Sequence, residues 1–162
     1  MRVVLTLMIS LLAGIAVADS FRVEVEVPRL RVAEYHAPYV AFWVESPDRS
    51  TIVPLGLWYD DQEKWLKDIR QWWRRTGRGQ QAPYDGLTGA TRVPGTHQVD
   101  FAELDSLQNL PAGDYELIVE AAREVGGREV LRLPFTWPAN RPQQQTVQGS
   151  NELGTVSLTI DP

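Results

Sequence analysis

The chain has 162 residues, a net charge of −5 at pH 7 and no cysteine. An acidic chain without a long basic stripe is a poor binder of nucleic acids and of anionic membranes. The lack of cysteine excludes thiolate catalysis, cysteine-ligated zinc, iron–sulfur clusters and c-type haem attachment. Only His36 and His97 could supply imidazole, and their spacing forms no metal-binding pair, so we expect no dedicated metal site.

The first 18 residues have the pattern of a secretory signal peptide. Arg2 precedes an apolar run over residues 3–17, and Ala16-Val17-Ala18 forms a small-residue cleavage site. The run is shorter than the ~20 residues needed to span a bilayer, and no basic cluster follows it, which disfavours a membrane anchor. We therefore predict export, cleavage after Ala18, and a single domain over residues 19–162 that is peripheral to a membrane at most.

About seven segments of the mature chain show the alternation or the apolar, β-branched composition of strands. Regularly spaced short strands favour a mostly β fold, an immunoglobulin-like antiparallel β-sandwich. Pro54 marks its strand as an edge strand or a bulged one, and residues 138–149 form a Pro/Gln-rich connection. The predicted strands are 21–27, 39–45, 51–59, 97–101, 115–121, 129–137 and 154–160.

Residues 61–75 predict one α-helix inserted between two of these strands. Asp60 and Glu63 have the spacing of a capping box at its start. Its apolar residues could form an aromatic platform for a flat ligand, but a stripe buried against the sheet is the favoured interpretation. That stripe consists of Trp65, Leu66, Ile69, Trp72 and Trp73.

No catalytic constellation is recognisable. The chain has no G-x-S-x-G elbow and no Ser/His/Asp spacing. The paired carboxylates fall on predicted solvent faces or at the helix cap, which disfavours acid–base catalysis; these pairs are Glu24/Glu26, Asp60/Asp61 and Glu116/Glu120. We predict no catalytic residues, and a turnover hydrolase is the least favoured class.

Residues 77–95 form a long segment rich in Gly, Pro and Gln, and long loops in compact domains are often functional. It contains the stretch Asp85-Gly86-Leu87-Thr88-Gly89-Ala90-Thr91-Arg92. As local structure, this stretch could be an Asx turn in which Gly86 and Gly89 adopt positive φ. It also resembles the D-x-x-[ST]-G-A-[ST] motif of proteins that are flavinylated outside the cytoplasm.

The resemblance implies that an exported flavin transferase splits FAD and joins FMN to Thr91 through a phosphoester. The residue types suit this chemistry, because the acceptor must be a hydroxyl and small neighbours leave room for a second active site. Arg92 can offset the added phosphate charge. One departure is Arg92-Val93-Pro94, where many flavinylated domains carry further Thr or Ser. The matching positions are Asp85, Thr88, Gly89, Ala90 and Thr91.

Beyond the motif, a series of short segments is similar, in the same order, to one family of predicted periplasmic proteins of unknown function. Members of that family are often encoded beside flavin transferases and PepSY-type membrane proteins. The likeness covers nearly the whole mature chain and implies a periplasmic redox context. The segments are Tyr39–Glu45, Leu57-Trp58, Lys64-Trp65-Leu66, Trp72-Trp73-Arg74, Thr88-Gly89-Ala90-Thr91-Arg92, Pro111-Ala112-Gly113-Asp114-Tyr115, Glu120-Ala121-Ala122-Arg123-Glu124, Gly126-Gly127-Arg128-Glu129 and Pro134-Phe135-Thr136-Trp137.

Two functions are open at this point. The first is a periplasmic electron-transfer protein with FMN on Thr91, Arg92 beside the phosphate, Tyr84 or the helix tryptophans near the ring, and a PepSY-type membrane protein as redox partner. The second is a cofactor-free, immunoglobulin-like interaction module. Its contacts would be the 77–95 loop and an exposed, charged hairpin formed by residues 120–124 and 126–129.

Overall fold

The computed structural model describes residues 20–60, 63–80 and 88–162. Within this part of the chain, nine strands form two sheets, and only the β3–β4 pairing is parallel. The four-stranded sheet has the order β5-β1-β9-β8, and the five-stranded sheet has the order β4-β3-β2-β6-β7. The strands are β1 Ser20–Val27, β2 Tyr39–Glu45, β3 Ile52–Trp58, β4 Thr88–Gly89, β5 Gly95–Asp100, β6 Gly113–Ala122, β7 Arg128–Trp137, β8 Gln143–Gln148 and β9 Thr155–Asp161.

The predicted mostly β sandwich is confirmed by the core between the two sheets. Alternation along β1 turns Phe21, Val23 and Val25 inward and leaves Arg22 and Glu24 exposed. These inward residues belong to one apolar cluster with the inner faces of the facing sheet. The cluster includes Val156, Leu158 and Ile160 of β9, Val40, Phe42 and Val44 of β2, Leu117 and Val119 of β6, and Leu131 and Leu133 of β7.

All seven predicted strands are present, and the bulge suggested by Pro54 is confirmed. Phe42 pairs with Gly56 and Trp43 pairs with Pro54, so Leu55 is the extra residue in β3. Two strands were not predicted, the two-residue β4 and the edge strand β8. The sequence of β8, QQQTVQ, has four glutamines and only two β-branched residues, Thr146 and Val147, and its backbone pairing with β9 compensates for this weak signal.

The prediction of one continuous helix over residues 61–75 is wrong. The described part contains a 3-10 helix Glu63–Asp68, the α-helix α1 Arg70–Arg75 and a 3-10 turn Gly77–Gly79. Ile69 separates the first two with a non-helical ψ of 72°. Asp61 and the side chain of Glu63 lie outside the described residues, so the capping box stays a prediction. A second short helix, α2 Asp105–Gln108, connects β5 to β6.

This helical segment, residues 63–79, covers the outer face of the five-stranded sheet. Leu66, Ile69 and Trp72 are buried there against a second apolar cluster that includes Trp43 and Ile118. The buried-stripe interpretation is therefore confirmed for these three positions. Trp65 and Trp73 pack at the border of the cluster and are partly buried, and the Lys64 ammonium lies 4.9 Å from the Trp65 ring centroid.

Glu120 shows why the helix is interrupted, and it corrects one prediction. Its side chain is fully buried rather than on a solvent face. Its carboxylate accepts hydrogen bonds from the backbone N–H groups of Gln71 at 3.0 Å and Trp72 at 2.6 Å, and from Arg128 Nε at 2.5 Å. These two N–H groups belong to the first turn of α1, where helical donors lack internal partners. The carboxylate from β6 therefore favours a new helix start at Arg70.

The predicted exposed, charged hairpin is also wrong over residues 120–123. Arg123 is buried and forms an ion pair with buried Glu152, at 2.9 Å between Nε and Oε2 and 3.1 Å between Nη2 and Oε1. Glu152 Oε1 also accepts the N–H of Gly127 at 2.8 Å. A Cβ on Gly127 would lie 2.5 Å from that oxygen, so glycine is required here by close packing. The exposed part of the hairpin is its tip, where Val125 has a φ of 51°.

Candidate functional site

The motif residues of the described part lie at the edge of the five-stranded sheet. β4, which consists of Thr88 and Gly89, runs parallel to the end of β3, opposite Leu57 and Trp58. The N–H of Tyr59 donates to the Gly89 carbonyl at 2.9 Å. Gly89 is thus part of an extended strand and has no positive φ, so the turn predicted for it is wrong. Tyr84, Asp85 and Gly86 lie outside the described residues.

A second anchor follows the motif. His97 Nε2 donates to the Val93 carbonyl at 2.7 Å, and the His97 ring meets the Trp58 ring edge-to-face at 6.1 Å between centroids. The strip Ala90-Thr91-Arg92 therefore lies between two points at which the chain is held. Within this strip Ala90 and Arg92 are exposed and Thr91 is half-buried.

The side chain of Arg92 extends from this strip and packs against Trp58 of the sheet. Its guanidinium carbon lies 5.2 Å from the centroid of the Trp58 ring, which is a cation–π contact. The contact keeps a permanent positive charge beside Thr91, because arginine stays protonated at any physiological pH. The expectation that Arg92 can neutralise a phosphate on its neighbour thus has a suitable local geometry.

A cleft of about 450 Å³ opens next to the strip. This size falls within the range of roughly 300–1,000 Å³ that small-molecule sites occupy. Its wall is aromatic and aliphatic, and its rim is charged, a composition that suits a flat molecule with one polar edge. The lining residues are Leu55, Gly56, Trp58, Thr88, Gly89, Arg92, Val99, Asp100, Phe101, Glu103 and Leu104.

The floor of the cleft is closely packed. The Trp58 ring packs edge-to-face on the Phe42 ring, with 4.8 Å between their centroids, and the centroid of the Phe101 ring lies 5.5 Å from that of Phe42. A Cβ on Gly56 would lie 3.0 Å from Phe101 Cε1, so Phe101 occupies the space that a side chain would need. At the rim, Asp100 Oδ1 accepts the N–H groups of Phe21 and Ala102, each at 3.0 Å, and fixes the turn after β5.

Trp58, which sequence reasoning did not assign to the site, is the tryptophan beside the motif. The described lining of the cleft does not include the helix tryptophans Trp65, Trp72 and Trp73. These three pack on the opposite face of the sheet. The pairing of β4 with β3 brings Trp58 and Gly89 together. In the sequence, the only signal at this position was the segment Leu57-Trp58 of the family resemblance, and that resemblance assigned no ligand-binding role to Trp58.

Four further hollows formed by the described residues have no described motif residue in their walls. One of about 480 Å³ lies between β7 and β8 and is lined in part by Pro47, Tyr115, Phe135 and Gln145. Burial raises the pKa of Tyr115 with a smaller contribution from Asp48, and the Tyr115 hydroxyl donates to the Pro111 carbonyl at 2.8 Å. In the described ranges, no group of three potential ligands is arranged to hold a metal ion.

The comparisons with known proteins agree with the sequence resemblance at the level of the family. A family model described as "Predicted periplasmic protein (DUF2271)" matches residues 20–155, which include the motif strip and every described strand except β9, of which only Thr155 is matched. No curated protein and no solved structure matches the chain. Across the described residues, every helix is too short or too polar to cross a bilayer.

Proposed function

The chain belongs to this family of predicted periplasmic proteins, and on that premise we propose that it is a periplasmic electron-transfer protein carrying FMN covalently on Thr91. The observation that supports the proposal is the strip Ala90-Thr91-Arg92, which reaches the surface between two anchored points. A transferase must close its own active site over the acceptor. A strip with a fixed position at the surface, whose acceptor is preceded by the small residues Gly89 and Ala90, is suited to that encounter.

Each described residue of the motif has a role in the proposal. Thr91 Oγ forms the bond to the phosphate of FMN, the phosphoanhydride of FAD breaks, AMP leaves, and the hydroxyl proton passes to the transferase. Thr88, Gly89 and Ala90, together with Asp85, form the sequence that the transferase recognises. Arg92 stabilises the phosphodiester by a charge-assisted hydrogen bond.

The bound flavin would supply one- and two-electron chemistry, and the chain would supply tethering, orientation and charge. Export is a condition of this function, because the transferase acts outside the cytoplasm. The proposal therefore includes the signal peptide of residues 1–18 and its cleavage after Ala18. It also includes a PepSY-type membrane protein as the electron-exchange partner, which the tethered flavin would meet at the membrane surface.

Co-expression with an exported flavin transferase tests the proposal. We expect the purified mature chain to gain the mass of one FMN and to show flavin fluorescence on a denaturing gel. Thr91→Ala should abolish both signals, and Thr91→Ser should retain them because the nucleophilic hydroxyl remains. Thr96→Ala, which removes an exposed threonine five positions on in β5, is the matched control and should leave the adduct unchanged.

An adduct that persists in Thr91→Ala would contradict the attachment site. If no adduct forms under conditions that flavinylate a known acceptor protein, the electron-transfer proposal fails. The cofactor-free interaction module is then the better explanation of this fold.

A further inference from the structure

We propose that the cleft beside the motif holds the isoalloxazine ring of the FMN on Thr91, with the Trp58 indole as its stacking surface. This inference rests on the proposed function and deepens it by assigning a place to the ring. The chain brings the two parts together, because Gly89 and Arg92 on either side of Thr91 both line the cleft. The ribityl chain of FMN links the phosphate on Thr91 to a ring in that space.

The chemistry of the cleft matches the ring. Isoalloxazine has an apolar dimethylbenzene end and a polar pyrimidine end with one N–H donor and two carbonyls. The cleft offers an apolar wall of Trp58, Phe101 and Leu104, and carboxylates at its rim from Asp100 and Glu103. Aromatic side chains stack on flat partners, and carboxylates accept from N–H donors.

Arg92 controls access to this surface. Its guanidinium lies over the Trp58 ring, and the indole is only 5% exposed. Among the described residues, Arg92 has no carboxylate partner that would hold it there. An exposed cation–π contact is weak compared with a charge-assisted bond to phosphate. A phosphodiester on Thr91 therefore draws Arg92 away from the indole and uncovers the stacking surface.

Flavin emission measures the contact directly, because an indole stacked on isoalloxazine quenches its fluorescence by electron transfer. The adduct is purified with its mass verified, and emission is recorded before and after denaturation. We expect denaturation to raise the emission of wild-type adduct by about twofold or more as the stack is lost. Trp58→Phe should recover most of that emission in the native state.

Trp65→Phe is the matched control, because it makes the same change in a partly buried tryptophan on the opposite face of the sheet. It should leave the native emission at the wild-type level. Collisional quenching by acrylamide adds a measurement that needs no variant, so the test holds even where Trp58→Phe fails to fold. The native wild-type adduct should be less accessible to acrylamide than the denatured adduct.

The outcomes separate the two proposals. An adduct whose emission and acrylamide access are the same before and after denaturation places the ring in solvent and overturns the inference, while attachment to Thr91 stands. Equal recovery of emission in Trp65→Phe and Trp58→Phe overturns the assignment to this cleft. The lack of any adduct overturns the proposed function, and it also overturns the assignment of the ring to this cleft.

Discussion

Two groups of charged residues in this protein differ in how their charges are satisfied. Behind the five-stranded sheet and at the β6–β7 hairpin, the charged side chains are buried and held by specific partners. Beside the motif strip, the charged side chains of Arg92, Asp100 and Glu103 belong to exposed residues at the rim of a cleft. Burying a charge is costly unless it is paired and hydrogen-bonded, so the first group is explained by structure alone. In the second group, Asp100 Oδ1 already accepts two backbone N–H groups, whereas a ligand can reach the exposed side chains of Arg92 and Glu103.

The buried group also explains how the helical segment is held on the sheet. Glu120 binds the start of α1 through two backbone N–H groups. Glu45, which is also buried, lies 3.5 Å from Arg75 Nε at the end of α1 and 3.2 Å from Arg49 Nε. It also accepts from Trp43 Nε1 at 3.2 Å. Two carboxylates on neighbouring strands thus hold the two ends of one short helix.

The largest expected effect of breaking the buried group is at Glu152. Glu152→Ala leaves Arg123 buried without its partner and should reduce the free energy of unfolding by about 3–5 kcal/mol. Urea denaturation measures this loss. The double variant Arg123→Leu/Glu152→Leu should recover a large part of it, because the remaining buried charge is removed. A single variant that loses less than about 1 kcal/mol would show that the pair is solvated.

Glu120→Ala should have the next largest effect, a loss of about 3 kcal/mol, because it removes the acceptor of Gln71 and Trp72 N–H and the partner of Arg128. Arg128 is about one-third exposed, so solvent limits the contribution of its ion pair to this loss of stability. Glu116→Ala on the same strand is the matched control. Glu116 and Arg132 are both about one-third exposed, so that loss should stay below about 1 kcal/mol. Equal losses in the two variants would contradict the comparison.

A smaller effect concerns the stability at acid pH. Burial acts to raise the pKa of Glu129, but the backbone N–H groups of Ser150, Leu153 and Asn151 outweigh it, and the pKa lies below the usual value of a glutamate carboxyl. A carboxyl with a lowered folded-state pKa stabilises the fold above its unfolded pKa, and this stabilisation is lost as the pH falls through the folded value. Stability should therefore decline below about pH 4.5.

Glu129→Gln should reduce this decline by less than about 1 kcal/mol, because the carboxyl is only half-buried and solvent screens it. Thermal unfolding between neutral and acid pH measures the change. Glu24→Gln, on the exposed face of β1, is the control. An unchanged acid decline in Glu129→Gln would assign the effect to other carboxyls, among them Glu26 and Asp48, whose pKa values are also lowered by hydrogen bonds.

The smallest effect on stability should be at Thr91, the residue at which the proposed function should be lost completely. Thr91→Ala should change the free energy of unfolding by no more than about 0.5 kcal/mol, since it is a change in a surface strip. Its proposed adduct should be lost entirely. A stability loss of the size seen at Glu120 would place Thr91 among the structural residues and remove the contrast between the two groups.

Sequence patterns predicted the parts of the fold that repeat locally. The sequence of β1 alternates because only one face of that strand is buried, whereas β2 is a continuous apolar run because both of its faces are buried. Both strands lie where these patterns predict them. β8 was missed because its glutamine-rich sequence has no such signal. The helix break at Ile69 was missed because the apolar stripe continues through it, and the cause is a carboxylate on a distant strand.

Periodicity and residue type were enough to predict seven of the nine described strands, their apolar faces and a motif whose proposed acceptor is Thr91. The burial of particular charges and the choice of the tryptophan beside the motif depend instead on contacts between distant segments, which the fold alone supplies. Glu120 and Glu116 look alike in an alternating strand, yet Glu120 is covered by the helical segment and Glu116 is about one-third exposed. Trp58 reaches the motif through a two-residue parallel pairing. Such contacts join residues that are far apart in the chain, so local sequence propensity cannot predict them.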